Sequence, residues 1–113
     1  MSGYIIPRNN LLEAGTIEPS NNNVISRAAI AGGKAMFYIP IYDDISMGDT
    51  VSGYISTDGD WHFAVEDQIT SLVERFKVEV PDVIFASPVT RATVTYIVNC
   101  QIRSDATEYK VVD

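Results

Sequence analysis

The sequence predicts an all-β protein: one domain over residues 1–113, folded as an antiparallel β-sandwich of about seven to nine short strands. Apolar and polar side chains alternate from Arg91 to Arg103, which indicates a long strand with one buried face. Asp58-Gly59, between two alternating runs, predicts a tight hairpin. Turn signals recur about every 8–12 residues, a spacing typical of sandwiches and barrels.

In the first half of the chain, proline and glycine separate three predicted strands. Residues 4–6 form a short apolar run that Pro7 ends, as at the edge of a sheet. Residues 24–30 resume as a strand after an asparagine-rich loop. Residues 34–42 form the next strand. Pro40 lacks an amide proton, so we expect a sheet edge or a bulge at that point.

The second half of the chain contains the clearest alternation. Residues 50–66 read as strand, turn and strand. Within residues 69–80, apolar spacing fits a helix at the start and a strand at the end; we take 75–80 as strand and 68–74 as a loop, a turn of helix or the start of that strand. Residues 82–86 predict a short helical turn or an irregular crossing. Residues 108–112 close the sheet as a last strand.

Cys100 is the one cysteine of the chain, which excludes an intrachain disulfide. It falls on the apolar face of the predicted 91–103 strand, together with Tyr96 and Val98. This position predicts a buried, inert thiol rather than a nucleophile, because free cysteines are among the most buried residues.

The net charge of −7 argues against two classes of partner, nucleic acids and anionic membranes. Binding to nucleic acid needs a basic face, and docking on an anionic membrane needs basic residues, so we expect neither. No basic segment followed by an apolar run begins the chain, and no apolar stretch is long enough to insert in a membrane. We therefore expect a soluble protein, or a fragment of a longer one, of unassigned compartment.

Several short motifs resemble the immunoglobulin-like repeats of large bacterial surface and secreted proteins. They are Met47-Gly48-Asp49-Thr50-Val51, Val78-Glu79-Val80-Pro81 and Val94-Thr95-Tyr96-Ile97-Val98, within about residues 36–112. The resemblance implies an immunoglobulin-like sandwich that serves as a spacer, adhesion or binding domain of a secreted or cell-surface protein. The chain departs from antibody domains in having one cysteine, and Tyr96 is not two residues before it.

Aspartates cluster in two predicted loops, Asp43, Asp44 and Asp49 in one and Asp58 and Asp60 in the other. Carboxylate oxygens on loops suit calcium, so Asp43, Asp58 and Asp60 could form a site if the two loops lie at the same end of the sandwich. Aspartate is also a common turn residue, and turn chemistry is the simpler interpretation. No other cofactor is indicated.

Aromatic side chains supply the other candidate site. Tyr38 and Tyr42 lie opposite the apolar face of the 34–42 strand, so at least one should reach the surface as an interface patch. Tyr54, Trp61 and His62 could instead form a sugar-binding platform. Trp61 shares a face with Phe63 and Val65, however, which favours core packing over sugar stacking.

These observations predict a non-enzymatic interaction or adhesion module, which binds a protein partner or a second copy through an edge strand or the Tyr38–Tyr42 patch. One histidine and no Gly-x-Ser-x-Gly motif leave no recognisable nucleophilic triad. The alternative is a lectin-like, carbohydrate-binding module that uses Tyr54, Trp61 and His62, with or without calcium. A hydrolase with a carboxylate pair is the third class.

Overall fold

The computed structural model describes residues 11–113, and within this range it contains nine strands in two packed sheets. A four-residue helix, α1 (Arg27–Ile30), and a 3-10 turn over Asp82–Phe85 are its helical elements. The strands are β1 (Thr16–Glu18), β2 (Val24–Ser26), β3 (Met36–Ile39), β4 (Thr50–Thr57), β5 (Phe63–Gln68), β6 (Phe76–Glu79), β7 (Arg91–Val98), β8 (Ile102–Arg103) and β9 (Thr107–Val112).

The smaller sheet has the strand order β1-β3-β6 and is antiparallel throughout. The larger sheet has the order β2-β9-β7-β4-β5, and β8 pairs with the end of β7. All pairs in the larger sheet are antiparallel except β2 with β9, which is parallel. The prediction of an all-β sandwich with about seven to nine strands is confirmed.

The two sheets pack through a core in which Phe37 has a central place. Phe37 is fully buried on β3. A Cβ atom built on Gly53 would come within 2.7 Å of the Phe37 ring, and one built on Gly15 within 2.9 Å. Real Cβ atoms do not approach this closely, so the ring occupies space left open by Gly53 on the facing β4 and by Gly15 just before β1 of its own sheet. This contact sets the spacing between the sheets at its centre.

Buried or partly buried hydroxyl groups of the larger sheet form hydrogen bonds with the backbone of β1 and of the residues just before it. The Tyr96 hydroxyl donates to the Glu13 carbonyl at 2.6 Å, and the Thr107 hydroxyl donates to the Gly15 carbonyl at 2.7 Å. The Tyr109 hydroxyl accepts from the Ile17 amide at 2.9 Å. The polar end of each aromatic side chain thus satisfies a backbone group that neither sheet pairs.

The predicted strand from Arg91 to Arg103 is interrupted. β7 ends at Val98, and Asn99 and Cys100 form a turn with positive φ values of 52° and 57°. β8 then folds back on β7. Cys100 is exposed in this turn, so the prediction that its thiol is buried is wrong.

Other segments differ from their predictions in detail. Residues 24–30 divide into β2 and α1, because the Ser26 side chain accepts from the Ala29 amide and caps a helix there. Residues 69–75 form a loop between β5 and β6. The predicted strand over residues 4–6 lies outside the described residues. No helix in the described part of the chain has the length and apolarity needed to cross a membrane.

Candidate functional site

The strand β4 separates two groups of loops at opposite ends of the sandwich. Its first residue, Thr50, pairs with Gln68, where β5 ends, and Val51 pairs with Val98, where β7 ends. Residues 40–49, 69–75 and 99–101 therefore meet at one end, together with the side chains of Leu11 and Ile102; we name this the loop end. Residues 57–62 form the hairpin end.

Exposed apolar side chains are concentrated at the loop end. Of the nine large apolar side chains exposed in residues 11–113, six lie there. Val73 is 88% exposed and Met47 60% exposed, values far above those of core residues. Exposed apolar side chains gathered at one end of a domain are typical of protein contact sites. The six residues are Leu11, Ile41, Met47, Leu72, Val73 and Ile102.

Asp49 holds the longest of these loops in shape. Its carboxylate accepts from the Tyr42 hydroxyl at 2.8 Å, the Ser46 amide at 2.9 Å and the Asn99 side-chain amide at 3.1 Å. Backbone hydrogen bonds from Gly48 to the Ile69 carbonyl and from Ile69 to the Asp49 carbonyl then join this loop to the next. The loop end is thus a set of mutually bonded loops.

The electrostatics of this cluster keep Asp49 ionised. Hydrogen bonds hold the pKa of Asp49 below its usual value, and the bond from the Tyr42 hydroxyl has the largest effect. Burial, followed by the adjacent Asp49 carboxylate, raises the pKa of Tyr42 well above its ordinary value. A neutral phenol therefore donates to a charged carboxylate across the pH range in which the protein is handled.

The loop between β5 and β6 presents two apolar side chains on a turn stabilised by Ser71. The Ser71 hydroxyl oxygen accepts from the amides of Val73 at 3.2 Å and Glu74 at 3.0 Å. This local bonding fixes the backbone at the point where Leu72 and Val73 project into solvent. Their exposure is a property of an ordered turn.

A cleft of about 580 Å³ opens at the loop end beside these loops. Its rim includes the exposed apolar side chains of Leu11, Ile41 and Ile102. Tyr42, Asn99 and four acidic residues complete much of its wall, and the part of the chain that the structure describes contributes no lysine, arginine or histidine to it. The four acidic residues are Glu13, Asp43, Asp44 and Asp49.

The predicted Tyr38–Tyr42 patch is not a surface patch in the structure. Tyr42 is only 5% exposed, and its ring lies 6.3 Å from that of Tyr96 in the core. Tyr38 is half-buried, because the Arg75 guanidinium lies 4.0 Å from the centre of its ring and also pairs with Glu18. A cation–π contact thus covers the tyrosine that was expected to be free.

The residues of the predicted sugar platform are exposed but do not share one cleft. Trp61 is 63% exposed in the hairpin loop, since β5 begins only at Phe63, so the expectation of core packing is wrong. Tyr54 is 46% exposed on the outer face of β4, beside a separate shallow groove with Thr95 and Arg103. His62 is exposed, and its Nδ1 accepts from the Thr57 amide at 3.2 Å.

The aspartates proposed for calcium do not converge. Asp43 lies at the loop end, whereas Asp58 and Asp60 lie at the hairpin end, and an eight-residue strand of roughly 25 Å separates them. The described residues include no group of three or more acidic, histidine or cysteine side chains placed to hold a metal ion. The predicted site from Asp43, Asp58 and Asp60 is therefore wrong in its geometry.

Asp58 has a structural role at the hairpin end, where its carboxylate accepts three hydrogen bonds. One carboxylate oxygen accepts from the amides of Thr90 at 2.9 Å and Arg91 at 3.2 Å, and the other accepts from the Thr90 hydroxyl at 2.5 Å. The Thr90 hydroxyl is the main cause that lowers the pKa of Asp58 to about 2. The aspartate thus fixes the hairpin to the start of β7, in agreement with the turn interpretation.

In the described part of the chain the larger sheet has two edge strands, β2 and β5, and β5 is the longer of them. Glu66 and Asp67 lie on this strand and are exposed. Charged residues on an edge oppose pairing with a second strand, and two copies of this edge would place like charges together. The edge is therefore a weaker candidate for self-association than the loop end.

Comparison with known proteins gives no relative: no family model matches the chain, and neither the curated proteins nor the solved structures contain a significant match.

Proposed function

We propose that the protein is a non-enzymatic interaction module of immunoglobulin-like architecture, which contacts a second β-sandwich domain, in the simplest case a second copy of itself, through the loop end. The observation that carries the proposal is the gathering of six exposed large apolar side chains on the bonded loops at that end. Burial of these side chains in a contact removes apolar surface from water, which is the main favourable term in protein association.

The strand order supports the architecture. In immunoglobulin sandwiches one sheet has the order A-B-E-D and the other the order G-F-C, extended by C′ in variable-type domains. The order β1-β3-β6 corresponds to A-B-E, and β9-β7-β4-β5 corresponds to G-F-C-C′. Sandwiches of this kind present loops at both ends on a rigid framework, and such loops are common binding surfaces.

Sedimentation equilibrium over a concentration series tests the proposal. We expect reversible association of the wild-type protein with a Kd on the order of 100 µM, as for small transient interfaces. The variant with Met47→Ser, Leu72→Ser and Val73→Ser should associate at least about tenfold more weakly, because each serine removes apolar contact area. A matched variant at the opposite end, Trp61→Ser with Val83→Ser, should associate like wild type.

Three results would contradict the proposal. The first is a wild-type protein that remains monomeric throughout the series. The second is association that the three loop-end serines leave unchanged, and the third is association that the control pair removes. Circular dichroism of each variant checks that a loss of association is not a loss of fold.

Carbohydrate binding stays as the second candidate, because Trp61 is the most exposed aromatic side chain of the described residues. A flat indole ring in solvent is the kind of surface on which a sugar face stacks. A glycan array, run with and without a chelator, tests this function directly. Signals that Trp61→Ala abolishes would support it, and an array without signals under both conditions would exclude it for the glycans displayed.

A further inference from the structure

We propose that the loop-end cleft binds a lysine or arginine side chain flanked by aliphatic residues, presented by an extended segment of a partner protein. This inference deepens the proposed interaction function by naming the chemistry of a partner at the same end. Its test does not depend on self-association, so the two can fail separately.

The wall of the cleft is acidic. Four acidic residues line the cleft, and none of its lining residues within 11–113 is basic. In a concave, partly apolar surface, charges of one sign focus the electrostatic potential and attract ligands of the opposite sign. A cationic side chain is thus complementary to the cleft, and an anionic one is excluded.

Asp49 supplies a fixed acceptor in the cleft wall. A carboxylate offers about four acceptor positions. Tyr42 and Ser46 use two of them at Oδ2, and Asn99 uses one at Oδ1. One position at Oδ1 therefore remains for a donor from outside. The three existing bonds hold the carboxylate in place, so a guanidinium or ammonium group meets an acceptor that is already oriented.

The apolar rim of the cleft is an observation separate from its charge. It favours a partner segment in which aliphatic residues flank the basic residue. Leu11, Ile41 and Ile102 are each between one third and one half exposed around the same opening. A divalent cation would leave these side chains in water, and the described residues provide no group of three ligands for one. Aliphatic residues on both sides of a lysine or arginine would instead cover the rim.

A titration followed by backbone amide chemical shifts tests the inference on the intact protein. The probe is the blocked tripeptide acetyl-Leu-Arg-Leu-amide. We expect a Kd on the order of 1 mM, with shifts confined to residues 11–13, 41–49 and 98–102. Added salt should weaken binding, because the contact is between exposed opposite charges.

Matched probes and variants isolate the charge. A tripeptide with citrulline in place of arginine has nearly the same shape without the charge, and it should bind about fivefold more weakly or not at all. Asp43→Asn with Asp44→Asn should weaken binding of the arginine peptide about fivefold. Asp60→Asn with Asp82→Asn, the same charge change away from the cleft, should leave it unchanged.

The inference is overturned if the citrulline peptide binds as well as the arginine peptide, if the shifts map away from the cleft, or if both pairs of variants weaken binding equally. Met47, Leu72 and Val73, which are substituted in the self-association test, do not line the cleft. The variant with serine at these three positions should therefore bind the arginine peptide like wild type, which separates this site from the proposed self-contact.

Discussion

Phe37 and Gly53 illustrate how single residues set the distance between the two sheets. The ring of Phe37 would lie 2.7 Å from a Cβ atom on Gly53, and Val65 would lie 3.3 Å from the same atom. We predict that Gly53→Ala lowers the free energy of unfolding by about 1–3 kcal/mol, because overpacking forces the ring or a sheet to move. Urea unfolding followed by far-ultraviolet circular dichroism measures the change.

Two further variants check that explanation. Ser56→Ala, on the outer face of the same strand, should change stability by less than about 0.5 kcal/mol. Phe37→Leu removes part of the ring, so the cost of Gly53→Ala should be smaller in that background. Equal costs in the two backgrounds would show that contact with the ring is not the cause.

Asp58 makes a prediction about pH. Its pKa is lowered from 3.8 to about 2 by the Thr90 hydroxyl and by the backbone amides of Thr90 and Arg91, so the ionised form stabilises the folded state. This contribution is complete above about pH 5 and is lost as the pH falls through about 2. We predict that Asp58→Asn is less stable than wild type at neutral pH, and that the difference shrinks toward pH 2.

Urea midpoints for both proteins between about pH 2 and pH 7 measure this difference. Asp60→Asn, in the same hairpin loop, is the control and should stay close to wild type across the series. A constant difference between wild type and Asp58→Asn at all pH values would mean that the substitution acts through shape rather than ionisation.

At the scale of elements, alternation predicted most strands but not where they end. The β4–β5 hairpin was predictable because Asp58-Gly59 marks its turn between two alternating runs. The turn after β7 has no glycine or proline, and Cys100 and Ile102 continue the apolar alternation across it although both are exposed. Asn99 and Cys100 adopt positive φ there, a conformation that their residue types signal only weakly.

The candidate site was less predictable than the fold, for a related reason. The prediction for Tyr42 assumed that the strand continues to residue 42. β3 ends at Ile39, so strand alternation does not apply to Tyr42, and its side chain is buried. The loop end is assembled from three loops that are far apart in sequence, and only the strand register brings them together. Periodicity along one segment contains no information about such contacts.

Cys100 provides a direct test of the revised turn. We predict that its thiol reacts with Ellman's reagent in the native protein at about pH 8, at a rate within tenfold of that in denaturant, because the side chain is exposed. Cys100→Ser should abolish the reaction and leave the urea midpoint unchanged. A thiol that reacts only after unfolding would restore the continuous 91–103 strand with a buried cysteine.

For the whole molecule, the described chain runs from one end of the sandwich to the other. Leu11 lies at the loop end, whereas Asp113 lies beside Arg27, away from it, where the two form an ion pair at 2.8 Å. Six of the nine exposed large apolar side chains are at the loop end, so the two ends do not match each other. In the proposed self-association, a contact of loop end with loop end would bury more of these side chains than a contact of loop end with hairpin end, so we expect a two-fold arrangement.

The net charge of −7 sets the salt dependence of such a pair. Two copies repel each other, and salt screens that repulsion over about 10 Å at 0.1 M. We predict that self-association becomes stronger as sodium chloride is raised, measured by sedimentation equilibrium. Binding of the arginine tripeptide should become weaker in the same series, so the opposite signs distinguish the two contacts.

The proposed two-fold arrangement would place the two Cys100 side chains at one interface, because Cys100 lies in the turn of residues 99–101 at the loop end. We predict that mild copper-catalysed oxidation at associating concentrations yields a disulfide-linked dimer, visible on non-reducing gels. The Met47→Ser, Leu72→Ser, Val73→Ser variant should form much less of it, while the Trp61→Ser, Val83→Ser control should match wild type. A protein that associates but does not cross-link would contradict a two-fold contact in which the Cys100 side chains lie near the axis, because a disulfide requires Cα atoms within about 7 Å of each other.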